Sequence, residues 1–206
     1  MAEPAADAIL GAVLELVESA GCEAVQLREV ARRARVSLAT IYKLFRTRDE
    51  LLVAAVDRWM GTHNCAPVPP PPPGESVYDG LMRVFRHVFE PWERNPRMLK
   101  AFHRARAVPG GERLDQRAWR VIEPAGWAVL AGGEPRYVED VIVVLTNVAD
   151  AVVARFAAGQ LDATDILPTL ERATYRLTSD NAEAARQAAA SRHAADRSEH
   201  APPRRP

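Results

Sequence analysis

Little in this chain speaks for covalent or metal chemistry. Of its 206 residues only two are cysteine, Cys22 and Cys65, and neither has a second Cys or a His at ligand spacing. A disulfide framework and a zinc site are thereby excluded. The thiols read as structural, Cys22 filling a small turn position, with a redox-sensing pair as the other reading. There is no Gly-rich phosphate loop and no local Ser/His/Asp or Cys/His set, and the five histidines are scattered. An enzyme and a resident cofactor therefore have no motif to stand on. Lys plus Arg and Asp plus Glu both number 27, so no global charge draws the chain to nucleic acid or membrane. The N-terminus lacks a basic segment followed by an apolar run, which excludes a visible signal peptide and makes the cytoplasm the expected location. The longest apolar stretch, VIVVLTNVADAVVARFAAG from Val141, is interrupted by Asn147, Asp150 and Arg155. Charges there would cost several kcal/mol each at mid-bilayer, so the stretch reads as a buried helix and no membrane partner is expected.

What is present favours helices. Hydrophobic residues make up 48% of the chain, and Ala, Val, Leu and Arg dominate a composition suited to an all-α fold. The most informative segment is QLREVARRARVSLATIYKLFRTRDELL, residues 26–52. Leu27, Val30, Ala31 and Ala34 lie on one helical face, with Gln26 at the N-cap position. A turn at Arg35-Val36 follows, and Ser37 is a good N-cap for a second short helix through Leu44. In it Ile41 and Leu44 point inward, leaving Leu38, Ala39, Thr40, Tyr42 and Lys43 outward, types that meet thymine methyls, phosphates and base edges. Between residues 26 and 48 there are seven basic residues (Arg28, Arg32, Arg33, Arg35, Lys43, Arg46 and Arg48) against one acid, Glu29. A basic island in a neutral chain is a partner signal for double-stranded DNA.

The same residues resemble the DNA-binding domain of the TetR family of transcriptional repressors. Its S-x-x-T-[IL]-Y-x-x-F motif, followed by a basic residue and an acidic-acidic-Leu-Leu run, is matched by Ser37, Thr40, Ile41, Tyr42, Phe45, Arg48, Glu50, Leu51 and Leu52. The resemblance implies an N-terminal three-helix head with a helix-turn-helix, joined to a C-terminal helical domain for ligand binding and dimerisation. It implies DNA contacts from Tyr42 and Lys43, register-fixing phosphate contacts from Ser37, Thr40 and Arg48, base-methyl contacts from Leu38 and Ala39, and support from Gln26 and Arg28. Two departures stand out. The chain opens MAEPAADAIL instead of with a basic arm, and Arg35 stands in the turn where the family often carries Gly.

Four segments follow from composition: a head over 1–64, a Pro-rich linker over 65–74, a helical domain over 75–179, and a disordered tail over 180–206. The head begins with a helix over 5–20, striped by Ile9, Val13, Leu16, Val17 and Ala20, and ends with one over 48–62. The run PVPPPPPG should form an extended polyproline spacer that divides the head from the rest. Beyond it five helices are expected. The first, 75–92, is ended by Pro91 and Pro96. The others span 96–107, 112–130 with a kink or split at Pro124, 135–158, and 165–178. Val141 to Phe156 is apolar around most of its circumference, and Ile166, Leu167, Leu170, Ala173 and Leu177 form a second stripe. These last two helices should join a homodimer, and its operator should be pseudo-palindromic.

The second half, through EPWERNPRMLKAFHRARA, is similar to the KstR-like branch of the family. That likeness implies a small apolar effector, lipid- or steroid-derived and often a coenzyme A thioester. Its pocket would be lined by Phe85, Phe89, Trp92, Met98, Phe102, Trp119 and Trp127, with His103, Arg104 and Arg106 meeting a polar or anionic head. The competing reading is a helical small-molecule-binding protein or enzyme whose DNA-reading head is vestigial.

Overall fold

The structure, a computed structural model, describes residues 2–63 and 66–181; Cys65 and nearly all of the expected tail lie outside the described residues. Among these residues there are nine α-helices and no strand: α1 Ala2–Ala20, α2 Leu27–Ala34, α3 Leu38–Leu44, α4 Arg48–His63, α5 Val77–Arg94, α6 Pro96–Arg106, α7 Glu112–Val129, α8 Pro135–Ala157 and α9 Ile166–Thr178. Local chemistry sets most boundaries. Ser76 caps α5 by accepting the Asp79 amide (3.1 Å), and the Glu134 carboxylate caps α8 by accepting the Arg136 and Tyr137 amides (3.0 and 2.8 Å). Those two amides hold the Glu134 carboxyl below its ordinary range. Between α6 and α7 a side chain on Gly111 would place its Cβ 2.2 Å from the Ala105 carbonyl oxygen, so only glycine closes that turn.

Neither internal proline interrupts its helix. α5 runs through Pro91 to Arg94 and α7 through Pro124 to Val129. Pro91 lies in the last turn, where a single ladder bond is lost and Asn95 Nδ2 donates to the Pro91 carbonyl (3.1 Å). Pro124 and Arg120, one turn before it, are both exposed, where water can replace the missing donor. Ala20 likewise departs from the expected stripe of α1, being exposed.

The proline run does not separate two cores. One buried cluster runs from Ile9, Val13 and Leu16 of α1 through Leu51, Val56 and Trp59 of α4 to Met98, Leu99 and Phe102 of α6 and Phe156 of α8. Trp59, Trp92 and Phe102 pack in tilted contact across this junction with ring centroids 4.5 and 5.1 Å apart. α6 is the bridging element. Arg97 donates to the Glu18 and Ser19 carbonyls at the end of α1 (2.7 and 2.6 Å), and Arg104 pairs with Glu23 of the turn after α1. The linker itself is fastened along α5, with Arg83 donating to the Pro69 carbonyl (2.5 Å) and His87 Nε2 to that of Ala66 (2.8 Å).

The apolar stripe of α9 is also spent within the chain. Ile166 and Leu170 are buried in the main cluster, and Ala173 and Leu177 pack on a smaller one with Leu81, Val138 and Leu145. The large apolar side chains exposed on the last two helices are instead Tyr137, Val143, Val144 and Tyr175.

Candidate nucleic-acid interface and ligand cavity

α2 is held against α1 and α3, with Val30 and Ala31 buried in the core. It ends at Arg35, whose left-handed backbone (φ 53°) lets Val36 N–H return to the Ala31 carbonyl (3.0 Å). A non-glycine residue pays about 1–2 kcal/mol for that conformation. Ser37 then caps α3, accepting the Thr40 amide at 3.0 Å, while the two hydroxyls lie 2.9 Å apart. With Ile41 fully buried, the opposite face of α3 is presented outward: Tyr42 is 56% exposed, and Lys43, Ala39 and Ser37 are exposed beside it. Leu38 and Thr40 are half-buried, Leu38 packing on the core, so each offers only an edge. Gln26 and Arg28 are exposed, and the Gln26 side chain makes no cap bond.

Electrostatics thin the basic island. Hydrogen bonds from Arg32 and then Arg33 hold the Glu29 carboxyl down at about 2, so both cations are engaged with it at neutral pH. Arg28, Arg35, Lys43 and Arg46 make no ion pair among the described residues. Burial pushes the Cys22 thiol up, the direction that disfavours the reactive thiolate.

Arg48 departs from its expected role. Its guanidinium turns inward, Nε donating to the Val25 carbonyl (2.6 Å) and a terminal nitrogen to that of Cys22 (2.5 Å). It clamps the turn between α1 and α2, which takes up two of its three guanidinium nitrogens inside the chain. Charged hydrogen bonds of this kind contribute about 1.5–3 kcal/mol each at most. Arg48→Ala is therefore expected to lower stability by about 2 kcal/mol in urea denaturation. It should leave the salt dependence of DNA binding unchanged. A drop of about one in the log-log salt slope would restore Arg48 as a phosphate contact.

The second site is a cavity of about 400 Å³ between α5, α6, α7 and α8, with Met60 of α4 at its head-proximal wall. Phe85, Phe89, Trp92, Phe102, Arg106, Trp119 and Trp127 line it. Met98 and His103 do not. Met98 is fully buried in the core shared with the head, and His103 lies half-buried on α6 with Nδ1 enclosed and unbonded. Arg104 is turned to Glu23, away from the cavity. Arg106 keeps its place in the wall, but its charge is already met by Asp115 (2.9 Å) and Asp150 (2.7 Å). The pocket owes nothing to a helix break, because α7 is continuous past Pro124. α7 approaches α5 closely at Gly80, where a Cβ would fall 2.7 Å from a Val129 methyl, and it buries only Leu114. The rest of its inner face, from Asp115 to Trp127, walls the cavity.

Sequence reading missed Asp115 and Asp150, and the Ile142, Leu145 and Ala149 wall of α8. The helical period was visible for α8; which apolar face meets a void is a tertiary matter. Among the described residues no group of His, Cys, Asp and Glu is placed to hold a metal, and no helix is long and apolar enough to cross a membrane.

Residues 9–55 match the family described as bacterial regulatory proteins, tetR family, and residues 74–177 match the tetracyclin repressor-like C-terminal domain. The HTH-type transcriptional repressor KstR of Rhodococcus jostii is 33% identical over 97 residues, which cover 47% of this chain and 45% of that protein. The match thus spans less than half of that relative's length. KstR of Mycobacterium tuberculosis is 27% identical over 178 residues, covering 84% of this chain and 80% of that protein. A solved TetR transcriptional regulator from Rhodococcus sp. RHA1 has the same fold, with a TM-score of 0.65 at 22% identity over 85% of this chain and 95% of that one. A helix-turn-helix head and a matching C-terminal domain on one continuous helical core lead to one statement of kinship: the chain belongs to the TetR family of bacterial regulatory proteins.

Proposed function

We propose that this protein is a homodimeric transcriptional repressor of the cytoplasm. It binds a pseudo-palindromic operator and leaves it when an apolar effector enters the cavity. One observation carries the reading: an outward-facing α3 stands on a head whose core continues into the domain that holds the cavity. Tyr42 and Lys43 provide most of the affinity, Ser37 and Thr40 bond phosphates, and the edges of Leu38 and Ala39 meet base methyls. Gln26 and Arg28 support from α2. The exposed Tyr137, Val143, Val144 and Tyr175 of α8 and α9 form the isologous contact between subunits.

The apolar walls suit an aliphatic or polycyclic body of the lipid- or steroid-derived kind. An effector acts only through its different affinities for the two head separations, and a tenfold loss of operator affinity requires about 1.4 kcal/mol of coupling. α7 supplies a route, since it walls the cavity and also grips α4 through Arg117 and Asp57 (2.5 Å).

Fluorescence anisotropy on DNA from upstream of the protein's own gene tests the head. Tyr42→Ala and Lys43→Ala should each weaken binding by about 1–3 kcal/mol with unchanged melting, and Lys43→Ala should reduce the salt slope by about one. Full operator affinity in both folded variants would remove α3 as the reader.

A further inference from the structure

The cavity carries more negative than positive charge. Arg106 faces two carboxylates, Asp115 and Asp150, and Glu123 of α7 adds a third to the lining. Among the described residues no second Lys, Arg or His lines the space. The excess is local, because the chain as a whole is neutral. Burial pushes the Asp115 carboxyl up, against the pull of the Arg106 guanidinium beside it. Arg106 is further engaged with the face of Phe102, 5.5 Å from the ring centroid. The remaining walls are apolar, with the rings of Phe85, Phe89, Trp92, Trp119 and Trp127 set among aliphatic side chains.

An anionic ligand head would have to share Arg106 with Asp115 and Asp150 and sit beside both of their negative charges. A protonated nitrogen meets the opposite situation. It compensates the surplus carboxylate without breaking a pair, and the ring faces attract it through their quadrupoles. Resting on the effector reading above, we infer that the effector is a lipophilic cation: an apolar body with one protonated or quaternary nitrogen held at the Asp115 and Asp150 end, with Glu123 further along α7 adding to the same field. This replaces the anionic head expected from the sequence.

Three probes with one tail and different heads test it on the full chain: decylammonium, decanol and decanoate, titrated by calorimetry with thermal melting as a folding control. Decylammonium is expected to bind at least tenfold more tightly than decanoate and more tightly than decanol. Asp150→Asn should weaken decylammonium about tenfold and leave decanol unchanged. Glu123→Gln, at an exposed position outside the Arg106 cluster, should weaken it in the same direction without loss of melting temperature. Ala118→Trp, which occupies part of the cavity, should weaken all binding at least tenfold; decylammonium binding that survives it undiminished lies elsewhere and overturns the assignment. Equal affinity for the three heads, or preference for decanol or decanoate, overturns the cationic class while leaving an apolar effector standing. Failure of all three to bind the unmodified chain would sink the effector reading itself. The measurement needs no DNA, so failure of the repressor reading would show separately.

Discussion

Trp59→Ala is expected to lower the unfolding free energy by about 3–5 kcal/mol, the range for emptying a large aromatic from a packed core. Trp59 is 1% exposed, packs against Trp92 with ring centroids 4.5 Å apart, and lies where the buried clusters of the head and the second domain merge. Its loss removes packing from both sides at once, so operator affinity should fall with stability although Trp59 is remote from α3's outward face. Trp59→Phe is the control. It keeps a ring in the stack and removes an indole N–H that is buried without a hydrogen-bond partner, so stability should change by no more than about 1 kcal/mol. Denaturant unfolding distinguishes the two. If Trp59→Ala melts like the parent, the junction is not the energetic centre proposed for it.

Val144→Asp should have the largest effect on assembly. Val143 and Val144 are 52% and 40% exposed on α8, an unusual cost for β-branched residues that a partner subunit would relieve. In an isologous contact one substitution introduces two like charges into the same apolar patch. Light scattering at micromolar concentration should then report a monomer with its own fold intact. Operator affinity should drop by about 10²–10⁴-fold, because the second half-site is no longer held at high effective concentration. A dimer that persists would place the subunit contact elsewhere.

How far the sequence could be read depended on the range of the interaction. The cap at Ser37, the buried Ile41 and the outward Tyr42 and Lys43 are fixed within one turn of helix, and the pattern contains them. The inward bonds of Arg48 were not legible because its partners, the carbonyls of Cys22 and Val25, lie more than twenty positions earlier and meet it only after folding. Pro91 and Pro124 looked like breaks because a sequence does not reveal that the affected turn is terminal or faces water. The stripe of Ile166 and Leu170 did announce burial, but a stripe does not name what covers it, and the chain's own core does so here. The aromatic walls of the cavity were legible as large apolar residues on successive helices. Its charge was not, since Asp115 and Asp150 join Arg106 from two different helices.

The unbroken core has a consequence for protein engineering. A proline run looks like an invitation to cut, and swapping reading heads at such a boundary is the obvious way to rewire a regulator's target. Here the cut would strip Trp59 and Met60 of their cover on one side and Met98, Leu99 and Phe102 on the other. A working chimaera would have to exchange the apolar face of α6, together with Arg97 and Arg104, along with the head it receives. The unit of inheritance in this molecule is the mortise between α4 and α6, and the visible seam in the sequence runs beside it.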